Sequence, residues 1–196
     1  MQLVFATNNP HKLEEASVIL GPVFELSTPS SLGFSGDIPE THETIRENSV
    51  QKASFVWSMF HKNCFADDTG LEVDALGGAP GVYSARYAGE GKDPAANRRK
   101  LLSELKNVPF EQRTARFRCV VTYICEGEAY CFEGFCEGHI ALSESEGVQG
   151  FGYDSIFIPA GMDRTMAEIT IEEKNAISHR GKAMELFRCH LLQNQE

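Results

Sequence analysis

RFRCVVTYICEGEAYCFEGFCEGHIAL, residues 116–142, decides how the fold is read. Phe117, Cys119, Val121, Tyr123 and Cys125 alternate with other residues, the period of two expected of a strand. Glu126-Gly127-Glu128 turns the chain, and 130–140 returns with aromatic and cysteine residues, which predicts a long antiparallel hairpin. Outward from it the pattern changes. LVFA (3–6) reads as a buried strand. TNNPHKLEEASVIL (7–20) reads as entry into a helix, with Asn9 suited to the N-cap and Pro10 to the first helical position. FELS (24–27), CFA (64–66) and SIFI (155–158) are further short strands, and helices are expected over 44–60, 94–106 and 178–193. Strands and helices interleave and a hairpin joins them, so the expected class is α/β with a mixed β-sheet and flanking helices.

At 196 residues the chain is expected to form a single domain over 1–196, with a real core. No apolar run approaches membrane-spanning length. The opening MQLVFATNNPHK lacks the basic region and small-residue cleavage site of a secretory signal, so a cytoplasmic protein is expected. Six cysteines without a C-x-x-C pair are expected to be reduced thiols. A net charge of −10 repels nucleic-acid backbones and anionic lipid, so neither is an expected partner. A small polyphosphate ligand remains compatible, given a local cluster of Lys and Arg or a metal.

Four segments carry chemistry. In ATNNPHK (6–12) a strand runs into a helix start, where unpaired N–H groups favour phosphate. Lys12 adds a full charge, and Thr7 and Asn9 add donors; an ordinary capped helix with a surface lysine reads the same way. In NCFADDTGLEV (63–73), Asp67 and Asp68 follow a strand. Adjacent strand residues point to opposite faces, so one aspartate faces a cleft while its neighbour bonds the loop or a metal-bound water. Carboxylate oxygens near phosphate suit Mg²⁺, and such an aspartate orients or deprotonates water. A solvated acidic turn is the plainer alternative. GFGYDS (150–155) sets Phe151 among small residues, either against a flat base or in the core. EEKNAISHRGKA (172–183) groups Lys174, His179 and Arg180 around a helix start capped by Ser178, or else is a solvated charge run. The glycine-rich GGAPGVYSAR (77–86) shapes a loop beside these segments.

Taken in order, T-N-N-x-x-K (7–12), D-D-T-G-L (67–71), G-G-x-P-G-x-Y-S-A-R (77–86), F-G-Y-D (151–154) and S-H-R-G (178–181) span nearly the whole chain. In this it resembles the inosine triphosphate pyrophosphatase family. The resemblance implies Mg²⁺-dependent hydrolysis of ITP, dITP and XTP to the monophosphate and pyrophosphate. It also implies an elongated fold of two lobes around a central nucleotide cleft, and a homodimer. Thr7, Asn8, Asn9, His11 and Lys12 match the family's phosphate loop. Asp68 matches the proton acceptor and a metal ligand, Glu40 a second metal ligand, Thr69 a substrate contact, and Lys52 a phosphate contact. Phe151, Gly152, Tyr153 and Asp154 match the base site, which Lys174, His179 and Arg180 complete, with Arg180 expected to read the purine's 6-keto edge. The chain departs from many relatives, which have glycine where it carries Asn8 or His11. Asparagine tolerates left-handed angles, whereas His11 sets a bulkier, titratable group near the phosphates. Two alternatives stay open: a pyrophosphatase of the same fold for standard or methylated nucleotides, and a nucleotide sensor. Paired aspartates beside phosphate argue against the sensor.

Overall fold

A computed structural model of the chain describes residues 1–194. Its strands are β1 (Gln2–Phe5), β2 (Glu25–Ser27), β3 (Cys64–Val73), β4 (Pro80–Gly81), β5 (Thr114–Cys125), β6 (Glu128–Ile140) and β7 (Phe157–Pro159). They form one sheet in the order β2-β1-β3-β5-β6-β7, with β4 paired to β3. β1 runs parallel to β2 and to β3, whereas β3–β4 and β6–β7 are antiparallel, so the sheet is mixed as expected. The hairpin is present. Its connection, Glu126–Gly127, has φ of 52° and 88°, the two positive angles of a tight type I′ turn.

The chain divides into two compact units. The first holds Met1–Asp68, Cys119–Gly134 and the C-terminal helix from Arg180 onward. Here α1 (Pro10–Leu20) and α5 (His179–Gln193) cover one face of the sheet, and α2 (Ile45–Phe60) covers the other. Strand alternation sorts the side chains. Leu3, Phe5 and Phe65 pack with Ala16, Leu20, Met184 and Phe187. Val4, Ala6, Cys64 and Ala66 pack with Ala53 and Val56. Asn9 caps α1 by accepting from the His11 N–H at 3.0 Å, and Pro10 opens the helix.

The second unit holds Thr69–Arg118 and Phe135–His179. Its core joins Leu71, Leu101, Leu105, Phe117, Ile140 and Phe157. It contains α3 (Pro94–Glu104) and α4 (Ile171–Ile177). A Cβ at Gly138 would lie 2.2 Å from the Ile158 carbonyl oxygen, so glycine lets β7 close against β6.

One expectation is corrected. The strand read as 64–66 runs for ten residues, so Asp67 and Asp68 lie in mid-strand and not at its end. Both carboxylates meet cations from neighbouring helices, which lets the strand continue where D-D-T-G resembles a turn. Lys174 precedes the start of the last helix by one turn, its carbonyl accepting from the Ser178 N–H at 2.8 Å, and belongs to a helix of its own. It sits in α4, whose N-cap Thr170 exchanges hydrogen bonds with Glu173 in a capping box. All six cysteines are free thiols. Among the described residues no helix is long and apolar enough to cross a membrane.

Candidate active site

The alternation that sorts the core also separates the two aspartates. Asp67 follows Phe65 onto the face of α1 and α5. There it accepts hydrogen bonds from Lys12 Nζ at 2.9 Å and from Arg180 Nε at 3.0 Å. Arg180 also bonds Glu15 on α1, through Nη1 at 2.5 Å. Asp67, Arg180 and Glu15 are all buried, their side chains 1%, 3% and 6% exposed. Burial alone would raise the Asp67 carboxyl, but the Lys12, Arg180 and Lys52 charges hold it well below the usual carboxylate range. The same pairing, with Asp67 and Glu15, outweighs burial and raises Arg180.

Asp68 follows Ala66 onto the face of α2, where its Oδ1 accepts from Lys52 Nζ at 2.9 Å. The same ammonium donates to Glu40 at 2.6 Å. Burial raises the Asp68 carboxyl, against the opposing pull of Lys52 and Lys12 and with the aid of Glu40. Lys52 is buried too, yet Asp68 and Glu40 raise it above an ordinary lysine. α2 fixes the segment that carries Glu40. The Thr41 N–H donates to Gln51 Oε1 at 2.9 Å, the His42 N–H donates to Asn48 Oδ1 at 2.9 Å, and Asn48 Nδ2 donates back to the His42 carbonyl. Ser49 Oγ ties the helix to the sheet through the Ala66 and Val120 carbonyls.

In the phosphate-loop segment, Thr7 is buried and its Oγ1 accepts from the Asn9 N–H at 3.1 Å, while Asn8 and His11 are exposed. Among the described residues only His61, Lys92 and Glu126 are non-glycine positions with positive φ. The turn at Asn8 therefore needs no glycine, and His11 is an exposed first-turn residue of α1.

In the second unit, residues 150–155 form a braced loop. Asp154, buried, accepts at Oδ2 from the Phe151 N–H at 2.7 Å and from Lys174 Nζ at 2.9 Å. Lys174 Nζ also lies 5.0 Å from the Phe151 ring centroid, within cation–π range. Gly150 has φ of 75°, and a Cβ there would lie 2.2 Å from Asp154 Oδ2, so only glycine fits. Gly152 carries the next positive φ, at 65°. Thr69 is half-buried on β3.

Tyr153, His179 and Arg180, each expected at the base site, are buried. Tyr153 turns inward and donates its hydroxyl to the Ser84 carbonyl at 2.8 Å, bracing the loop. His179 is buried and stacks on Phe117 with centroids 4.6 Å apart. Arg180, expected to read the purine edge, has its guanidinium between Asp67 and Glu15 and is 2% exposed. Sequence reading misses Glu15, Asn48, Gln51 and Arg98. Glu15 has a readable signal: three residues after Lys12 on the buried side of α1, a carboxylate needs a cation.

In the first unit Lys12, Lys52 and Arg180 face Asp67, Asp68, Glu40 and Glu15, three cations against four carboxylates. That balance is a net charge of −1, which repels a polyanion, and a divalent cation would turn it to +1. Glu40 and Asp68 converge on one point, now held by the Lys52 ammonium, and offer only hard oxygen donors. Among the described residues no group of three or more ligating side chains forms. Two carboxylates with the remaining positions left to water and substrate oxygens is the habit of Mg²⁺, so the residues fit that ion.

Residues 3–190 match the Ham1 family. A dITP/XTP pyrophosphatase of Bacillus subtilis is 50% identical over 185 residues, 93% of each chain. Another, from Christiangramia forsetii, is 49% identical over 183 residues, covering 93% of this chain and 95% of its own. The solved structure of the Staphylococcus aureus Ham1 protein superposes with a TM-score of 0.88 at 40% identity, covering all of both chains.

Proposed function

This chain belongs to the Ham1 family, and on that premise we propose that it is a dITP/XTP pyrophosphatase. It hydrolyses dITP, ITP and XTP to the nucleoside monophosphate and pyrophosphate, with residues 1–196 acting as one catalytic domain. The observation that carries the reading is the division of two adjacent aspartates between opposite faces of β3. One is locked into a buried ion-pair framework; the other keeps a raised affinity for protons beside a second carboxylate.

The roles follow from these environments. Lys12 and Lys52 direct their ammonium groups to the phosphates. Asp68 and Glu40 are the oxygen donors for Mg²⁺, which when bound neutralises phosphate charge. Asp68, made more basic by burial, takes the proton of the water that attacks the α-phosphate. Asp67 holds Lys12 in place and is itself held by Arg180. Thr7, Asn8, Asn9 and His11 border the phosphates at the start of α1, where helix N–H groups favour negative charge. Thr69 adds a contact from β3. Phe151 offers its face to the base, with Lys174, Asp154 and Gly152 setting the loop's shape and His179 completing the base site.

The test is product identity. With dITP or XTP and Mg²⁺, phosphorus NMR should show monophosphate and pyrophosphate in equal amounts. Stepwise orthophosphate with a diphosphate product would contradict the reading, and tight binding without turnover would make the protein a sensor. A homodimer and cytoplasmic residence are proposed from family resemblance, to be read by light scattering and by fractionation.

A further inference from the structure

We propose that Arg98, on α3, is a positioning residue that sets the base-binding loop 150–155 from outside. The inference rests on the assignment of Phe151 to the base. The loop has two glycines at positive φ, Gly150 at 75° and Gly152 at 65°, so its backbone has little intrinsic preference for one shape. The Asp154 carboxylate ties it on its inner side to the Phe151 N–H and to Lys174. Gly152, the residue next to the stacking ring, is tied from the other side by Arg98 Nη1, which donates to its carbonyl at 2.8 Å.

Arg98 is oriented in turn. Its Nη2 meets Glu144 Oε1 at 2.7 Å, and the same Glu144 oxygen accepts from Ser155 Oγ at 3.0 Å. The guanidinium therefore links Gly152, Glu144 and Ser155 into one clamp. The adjacent Asn97 serves a different segment, since its Oδ1 accepts from the Ala88 N–H and its Nδ2 donates to the Ala85 carbonyl. The clamp borders a cavity of about 150 Å³ lined by Arg98, Glu144, Gly150, Phe151 and Asp154. Shortening Arg98 would enlarge that cavity and leave the loop room to move into it.

Arg98→Ala, Arg98→Lys, Glu144→Gln and Phe151→Ala are assayed for KM and kcat with dITP. Inhibition by tripolyphosphate, which has no base, is measured alongside. Losing a charge-assisted tie is expected to raise the KM of Arg98→Ala for dITP about 10- to 100-fold. The kcat should stay within about threefold and tripolyphosphate inhibition should not change. Arg98→Lys, a single point donor unable to span Gly152 and Glu144 together, should fall between Arg98→Ala and the parent. It also keeps the test readable if the alanine variant misfolds. Unchanged KM in both Arg98 variants, with KM raised in Phe151→Ala, would overturn the positioning role alone. Unchanged KM in Phe151→Ala would remove the base assignment and the proposal together. Equal weakening of dITP and tripolyphosphate would show a general structural role and overturn the proposal.

Discussion

Replacing Arg180 with methionine isolates what the buried framework contributes. Methionine keeps much of the volume and removes the charge shared by Asp67 and Glu15. Asp67 retains Lys12, but Glu15 loses this cation while only 6% of its side chain is exposed. A buried carboxylate in that position escapes by taking a proton. With an ordinary glutamate value of about 4.3 and 1.36 kcal/mol per pH unit, staying protonated at pH 7 costs about 3.7 kcal/mol. Removing one partner of a buried pair typically costs about 3–5 kcal/mol, so the two figures agree. The sole tryptophan, Trp57 on α2 in the same unit, reports urea unfolding. With a slope of roughly 2 kcal/mol/M, the midpoint should fall by about 2 M. The sign with pH is fixed. A carboxyl whose folded value rises destabilises above its unfolded value and ceases to do so as pH falls. The difference between variant and parent should therefore shrink to about 1–2 kcal/mol at pH 5. Turnover of ITP and ATP should fall by the same factor, because the guanidinium acts through Asp67 and Lys12. A difference under about 1 kcal/mol at pH 7, or a selective loss of ITP turnover, would refute this reasoning and return Arg180 to the base.

Three further outcomes are expected. Chelating Mg²⁺ should abolish turnover yet leave the urea midpoint within about 0.5 M, because Lys52 already bridges Glu40 and Asp68; unfolding on chelation would contradict this. Gly150→Ala, with φ of 75° and a Cβ 2.2 Å from Asp154 Oδ2, should destabilise by about 1–3 kcal/mol and raise KM for dITP, read by urea titration and kinetics. Thiol titration of the native protein at pH 8 should label exposed Cys189 fast and leave Cys64, Cys119 and Cys136 unlabelled. Burial pushes the Cys64 thiol up to about 12, so rapid labelling there would contradict the packing.

The sequence carries local signals well and long-range partners poorly. The period-two pattern of 116–142, the Asn9-Pro10 helix start and the Thr44 entry to α2 are all present as read. Each depends on neighbours in the chain. β3 reads short because Asp67-Asp68-Thr69-Gly70 resembles a turn, and the cations that keep it extended lie 16, 55 and 113 residues away. α4 escapes notice although Thr170 and Glu173 form a readable capping box; at seven residues it gives too few turns for a periodic pattern. Arg98 looks like one of many surface charges on a polar helix, and only the fold brings it to Gly152, 54 residues on. The opposite-face rule for adjacent strand residues does predict that Asp67 and Asp68 part company, though not that one is buried among cations.

That division is tested most directly by comparing Asp68→Asn and Asp67→Asn in one series, measuring kcat with dITP and urea stability for each. Asp68→Asn should lose about 10²–10⁴-fold in kcat, with stability changed by less than about 1 kcal/mol, since burial already disfavours the ionised Asp68 and Lys52 keeps Glu40 as a partner. Asp67→Asn leaves Lys12 and Arg180 without their shared carboxylate and should lose about 3–5 kcal/mol of stability. An Asp68→Asn protein that turns over dITP at the parent rate, or an Asp67→Asn protein as stable as the parent, would contradict the account.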